Sequence, residues 1–226
     1  MKIGILQTGH VPDEMRAAQG DFAAMFQRLL AGRGFDFETW NVVDMEFPGG
    51  PDAADGWLIT GSKHGAYEDH PWIPPLEALI RAAYAAEVPV VGVCFGHQIV
   101  AQALGGKVEK FEGGWSVGRQ VYDWNGRQVA LNAWHQDQVT EAPEEAETVA
   151  THPNCAHAAL VYGDRAFTVQ PHPEFDEVSV ANLIEHRGMT VPGPLLDAAR
   201  EGLAAPVEQE RLAAQMARFF TERRIA

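Results

Sequence analysis

Cys94 stands between Gly92 and Gly96, where the apolar run from Pro89 to Val93 gives way to an amphipathic stretch. The run is short, rich in valine and free of charge, which is the pattern of a parallel strand buried on both faces. Ile99, Val100, Ala103 and Leu104 then follow at helical spacing. A side chain on the sharp turn between strand and helix is held above the sheet, and the two glycines leave the backbone room to turn. The free N–H groups and positive dipole end of the helix favour a thiolate there. Cys94 is therefore read as a nucleophile. Its base is sought in Gln170 to Phe175, where Pro171 and Pro173 hold the chain extended around His172. Residues two apart in extended backbone point to the same side, so Glu174 can orient the imidazole of His172. Nucleophile, base and orienter are what acyl transfer through a thiol requires.

The elements that must position these residues alternate between strand and helix. Strands are expected over 2–7, 36–41, 56–60, 89–93 and 107–111, and again over 119–122, 128–131, 148–151, 158–162 and 166–170. Phe22, Met25, Phe26, Leu29 and Leu30 mark one helical stripe, Leu76, Leu79, Ile80 and Tyr84 a second, and Leu212, Met216, Phe219 and Phe220 a third. The region from Lys107 to Gln170 is mostly short strands and turns. A mixed sheet follows, parallel in its first half, with an antiparallel layer added by the middle of the chain. The break at Pro192, Gly193 and Pro194 places a loop and a short helix before the last helix.

The 226 residues suffice for one sizeable core, and 46% hydrophobic with 21% charged content is that of a globular chain. A net charge of −14 argues against nucleic acid, whose phosphates are neutralised by Lys and Arg. Met1 and Lys2 lead into a first strand instead of a signal peptide, and no apolar run is long enough to span a bilayer, so a cytoplasmic protein is expected. The two cysteines, Cys94 and Cys155, are not expected to pair, and Cys155 reads as buried filler. Among nine histidines, His64 with His70 and His152 with His157 show no ligand pattern with acidic partners, so no metal site and no cofactor is expected. His97 and His135 are expected at the mouth of the pocket; Lys63 and Tyr67 read by default as residues of an exposed loop, with substrate contact as the alternative.

Taken together, Gly92 to Gln98, the following Ala103 to Gly106 and the downstream Gln170 to Glu174 resemble the class I glutamine amidotransferase domain, whose fold is a flavodoxin-like three-layer αβα sandwich with a mixed, mainly parallel central sheet. The resemblance covers residues 1–226 as a single domain. Leu58 to Asp69 is similar to the family's oxyanion strand and loop, and Trp134 to Asp137 to its loop beside the active site. The nearest subgroup is the stand-alone one related to the amidotransferase domain of GMP synthase, which includes the γ-glutamyl peptidases. The resemblance implies that the N–H groups of Gly61 and Phe95 form the oxyanion hole and that Gln98 helps to bind substrate. It also implies that Trp115 and Ser116, within Glu112 to Gly118, hold the α-amino and α-carboxyl ends of glutamine, and that His135 lines the pocket. Three functions are then in view. The first is hydrolysis of a glutamine γ-amide or γ-glutamyl bond through a thioester on Cys94. The second is a glutaminase subunit delivering ammonia to a separate synthetase, and the third is a non-enzymatic αβα binding module.

Overall fold

Alternate residues of the central strands face two different cores. The computed structural model describes residues 1–226. In chain order its first half runs β1 (Lys2–Leu6), α1 (Asp13–Gln19), α2 (Phe22–Leu29), β2 (Asp36–Trp40), β3 (Gly56–Ile59), α3 (Ile73–Ala85), β4 (Val90–Val93) and α4 (Phe95–Ala103). There follow β5 (Lys107–Lys110), β6 (Ser116–Trp124), β7 (Arg127–His135), β8 (Asp137–Glu141), β9 (Glu147–His152), β10 (Cys155–Tyr162) and β11 (Ala166–Val169). Helices α5 (Glu177–Arg187), α6 (Gly193–Glu201) and α7 (Gln209–Glu222) close the chain.

Nine strands form one mixed sheet in the order β2-β1-β3-β4-β11-β10-β9-β6-β7. Pairing is parallel from β2 to β11 and antiparallel from β11 to β7. Ile3, Ile5, Leu58, Val91, Val93 and Phe167 pack on one face with Phe26 of α2 and with Leu212, Met216 and Phe219 of α7. Leu6, Trp57, Ile59 and Val90 pack on the other with Leu76 and Ile80 of α3 and Ile99 and Val100 of α4. This is the flavodoxin-like three-layer αβα sandwich, and period-two alternation in the strands assigns each side chain to its layer. A third core, Met15, Phe22, Phe175, Val180, Leu183 and Ile184, lies where α1 and α5 cover one end of the sheet.

Two sequence expectations change. The antiparallel strands make no layer of their own; β10, β9, β6 and β7 continue the main sheet, and only β5 and β8 stand apart as a two-stranded ribbon. Trp134 to Asp137 is not a loop: Trp134 and His135 end β7, Asp137 opens β8, and Gln136 alone separates them. The cause is pairing. β6 holds β7 in register as far as Ser116 opposite His135, and β8 leaves at once to pair with β5. Helices α1 and α5 carry no strong stripe in sequence; α5 is set by Asp176, whose carboxylate accepts the Ser179 N–H at 2.8 Å in an N-cap.

The parallel register decides where chemistry can occur. Ile59 lies beside Gly92, and Val169 beside Val93, so β3, β4 and β11 release their next residues at the same sheet edge. Those residues are Thr60 and Gly61, Cys94, and Gln170 to Glu174. The carboxyl ends of adjacent parallel strands are where open α/β sheets bind ligands.

Candidate active site

Cys94 has φ 53° and ψ −103°, a left-handed conformation that only a firmly held turn maintains. Its N–H donates to Val169 O at 2.9 Å, and the Gly96 N–H donates to Thr60 O at 3.1 Å, so the elbow is tied to both neighbouring strands. A side-chain carbon on Gly96 would lie 2.2 Å from Ile59 O, and one on Gly92 would lie 2.5 Å from Gly96 O. Neither position tolerates more than hydrogen. Phe95 is the first residue of α4, so its N–H has no carbonyl one turn earlier in the helix to bond.

His172 is held by a backbone bridge, its N–H donating to Asn132 O of β7 at 2.8 Å. Its ring stacks on Phe175 with centroids 4.0 Å apart, and its Nδ1 donates to Glu174 Oε1 at 2.6 Å. Both side chains are buried, and Oε2 of Glu174 has no partner. Burial lowers the pKa of His172, but the charges of Glu174 and Cys94 overcome it and the net shift is upward. A side-chain carbon on Gly61 would come within 2.9 Å of His172 Cε1, so the Gly61 backbone borders the imidazole. The Gly61 N–H donates to no backbone or side-chain group.

Cys94 and His172 open into a cavity of about 350 Å³ that Gln98, Trp115 and His135 also line. Gln98 is fixed by donating to Asp137 O at 2.8 Å and to Gln170 Oε1 at 3.1 Å. His135 brings two buried ring nitrogens with no partner. Burial and the nearby charge of His172 push its pKa down to about 3, so it faces the cavity as a neutral ring. Lys63 and Tyr67 lie on the cavity wall, as their loop allowed. Ser116 does not: it is buried as the first residue of β6, and neighbouring residues of extended chain point opposite ways, so Trp115 reaches the cavity and Ser116 does not. Nor does His97 line the mouth. It is fully buried against the sheet, its Nδ1 2.8 Å from Thr168 Oγ1.

Sequence reasoning missed several wall residues. His10 enters from the loop after β1, its Nδ1 2.5 Å from Asp21 Oδ2 and its Nε2 3.0 Å from Asp44 Oδ2. Burial lowers its pKa, but these two carboxylates raise it further. Lys110, Leu183 and Arg187 complete the far wall. No local pattern marks them, since β5 and α5 come to the site only through tertiary packing. Cys155 does not line the cavity; it is buried in the same core as Cys94, its thiol pushed up to about 12 by burial. His152 packs on Tyr122, and His157 contacts Thr148 Oγ1. His64 and His70 do meet, around Glu68.

Residues 40–183 match the family model described as glutamine amidotransferase class-I. γ-Glutamyl peptidase 4 of Arabidopsis thaliana is 30% identical over 182 residues, covering 74% of this chain and 72% of that protein. A glutamine-hydrolysing GMP synthase of Tolumonas auensis is 33% identical over 177 residues, 68% of this chain but 32% of the synthase. Among solved structures, a glutamine amidotransferase from Methylobacillus flagellatus is 23% identical and superposes with a TM-score of 0.76 over 99% of this chain and 92% of that one, a likeness of fold. No helix is long and apolar enough to cross a membrane.

Proposed function

Because the chain belongs to the class I glutamine amidotransferase family, we propose that it hydrolyses a glutamine γ-amide or γ-glutamyl bond through a thioester on Cys94. The observation that carries this reading is the convergence of Cys94 and the buried His172–Glu174 pair on one cavity. His172 takes the proton of Cys94, and the sulfur attacks the γ-carbonyl. The N–H groups of Gly61 and Phe95 receive the oxyanion as the tetrahedral adduct forms. His172 then gives its proton to the leaving amine, the C–N bond breaks, and water attacks the γ-glutamyl thioester to release glutamate and restore the thiol. Gln98, Trp115 and His135 orient the substrate, and the unpartnered nitrogens of His135 are satisfied when it binds. Ser116, from inside β6, supports that wall without touching the ligand. Lys63, Lys110 and Arg187, which also line the cavity, suit a substrate that carries carboxylates.

The similarity to part of a GMP synthase favours a second reading, in which the same thioester releases ammonia to a separate synthetase subunit. Purified protein assayed on glutamine, γ-glutamyl peptides and γ-glutamyl amines tests both. Turnover of any of them by the chain alone, lost to below about a tenth in Cys94→Ala and kept in Cys155→Ala, is the expected result. Activity that survives in Cys94→Ala removes the thioester from the mechanism. Turnover confined to glutamine and raised by an added ATP-using partner selects the subunit reading.

A further inference from the structure

We propose that His64, Glu68 and His70 form a three-ligand site for a divalent transition metal of the zinc class at the rim of the cavity, with a fourth coordination position left for water or a ligand. One histidine nitrogen from each ring and one carboxylate oxygen lie within 4.8 Å of one another. His64 Nδ1 is 3.4 Å from Glu68 Oε2, and His70 Nε2 is 2.7 Å from the same oxygen. Ligand atoms bound about 2.0–2.1 Å from a tetrahedral ion stand roughly 3.4 Å apart, so the His64–Glu68 contact already has the spacing, the His70–Glu68 contact opens by a fraction of an ångström, and the two histidine nitrogens, within 4.8 Å of each other, settle to it. Two imidazoles and a carboxylate are the donor set of zinc sites that keep a fourth position for water or a ligand.

The scaffold beneath the cluster is stiff. His70 stacks on the buried Trp72 at 5.8 Å and 12°, and His64 meets the same indole edge-on at 5.8 Å. Trp72 in turn packs against Phe95, the residue after Cys94. The turn itself is fixed by the Glu68 N–H donating to Gly65 O at 3.1 Å and the His70 N–H donating to Glu68 O at 3.0 Å. His64 and Glu68 both line the cavity. Water or a carboxylate would complete the coordination of a metal held there. The site is independent of the proposed hydrolysis and is tested without it.

The experiment titrates Co²⁺ and Zn²⁺ into the full chain carrying Cys94→Ala, so that the candidate nucleophile cannot act as a ligand. Cobalt is followed by its visible d–d absorption and zinc by calorimetry. One ion per chain is expected, with affinity lowered at least about tenfold in Glu68→Gln and in His70→Asn and unchanged in His152→Asn. In the unsubstituted chain, Zn²⁺ should protect His64 and His70, but not His152, from diethyl pyrocarbonate as read by peptide mass. No saturable binding at millimolar metal, or binding that Glu68→Gln and His70→Asn leave unaltered, overturns the site. So does modification of His64 and His70 at the same rate with and without zinc.

Discussion

In the proposed mechanism Glu174 acts only through His172. Its Oε1 takes the imidazole N–H at 2.6 Å, and its other oxygen is buried with no competing donor, so its charge is directed at one ring. Burial pulls the pKa of that ring down, and the Glu174 and Cys94 charges pull it up and prevail. A raised value means that the imidazolium survives to higher pH than an ordinary histidine at about 6.5. If His172 is the acid that protonates the leaving amine, as proposed, it is lost only above that range, and the alkaline limb of kcat/KM should lie there. Glu174→Gln keeps the shape and removes the charge. It should move that limb down by at least about one pH unit and cut kcat by ~10² to ~10⁴ with KM nearly unchanged. A pH profile in which the limb stays in place would make Cys94 and His172 a dyad.

At the scale of elements, the elbow is the part that tolerates least. Gly96 sits where a methyl group would press to 2.2 Å from a backbone oxygen of β3, and a backbone atom cannot swing aside as a side chain can. Gly96→Ala must push α4 away from β3 or distort the turn. A loss of about 2–4 kcal/mol in urea unfolding, together with a large fall in activity, is expected; a neutral stability change would mean that the elbow is looser than its contacts imply. This feature was legible in the sequence because its cause is local: a valine strand, two glycines around one cysteine and a helical stripe occupy fifteen consecutive residues. His172 and Glu174 were legible for the same reason, since prolines on a short segment fix which side chains agree. The rest depends on where elements travel. His97 and Gln98, three and four residues after Cys94, lie on opposite flanks of its direction in α4, and the His97 flank is the one that packs on Thr168 of β11 and not the cavity. β8 is hidden because a single residue separates it from the end of β7, and α5 supplies Leu183 and Arg187 without any sign in its own pattern that a cavity lies beside it. Glu68 joined His64 and His70 only when the turn before α3 had folded.

For the molecule as a whole, the buried histidines set a pH window. His97 and His135 are each pushed down to about 3, in both cases chiefly by burial and further by neighbouring histidine charge. Their folded values lie below the unfolded value of about 6.5, so between those limits the unfolded chain binds the extra protons. Stability contributed by their neutrality is fully present above about pH 6.5 and declines as pH falls, with a slope of up to about 1.4 kcal/mol per pH unit for each. His172 acts in the opposite sense. Its folded value is raised, so its contribution is present below about pH 6.5 and fades as pH rises towards the raised value. These two trends cross near neutrality, where maximal stability is expected. His97 is the cleaner probe, because it does not line the cavity of Cys94 and its Nδ1 bond to Thr168 is one that a glutamine amide can replace. Urea midpoints measured from pH 4 to 8 should fall on the acid side for the unsubstituted chain and fall less steeply for His97→Gln, at some cost in stability at pH 8. Parallel acid slopes for the two proteins would show that His97 takes up its proton without unfolding, and that the acid sensitivity of the fold arises elsewhere.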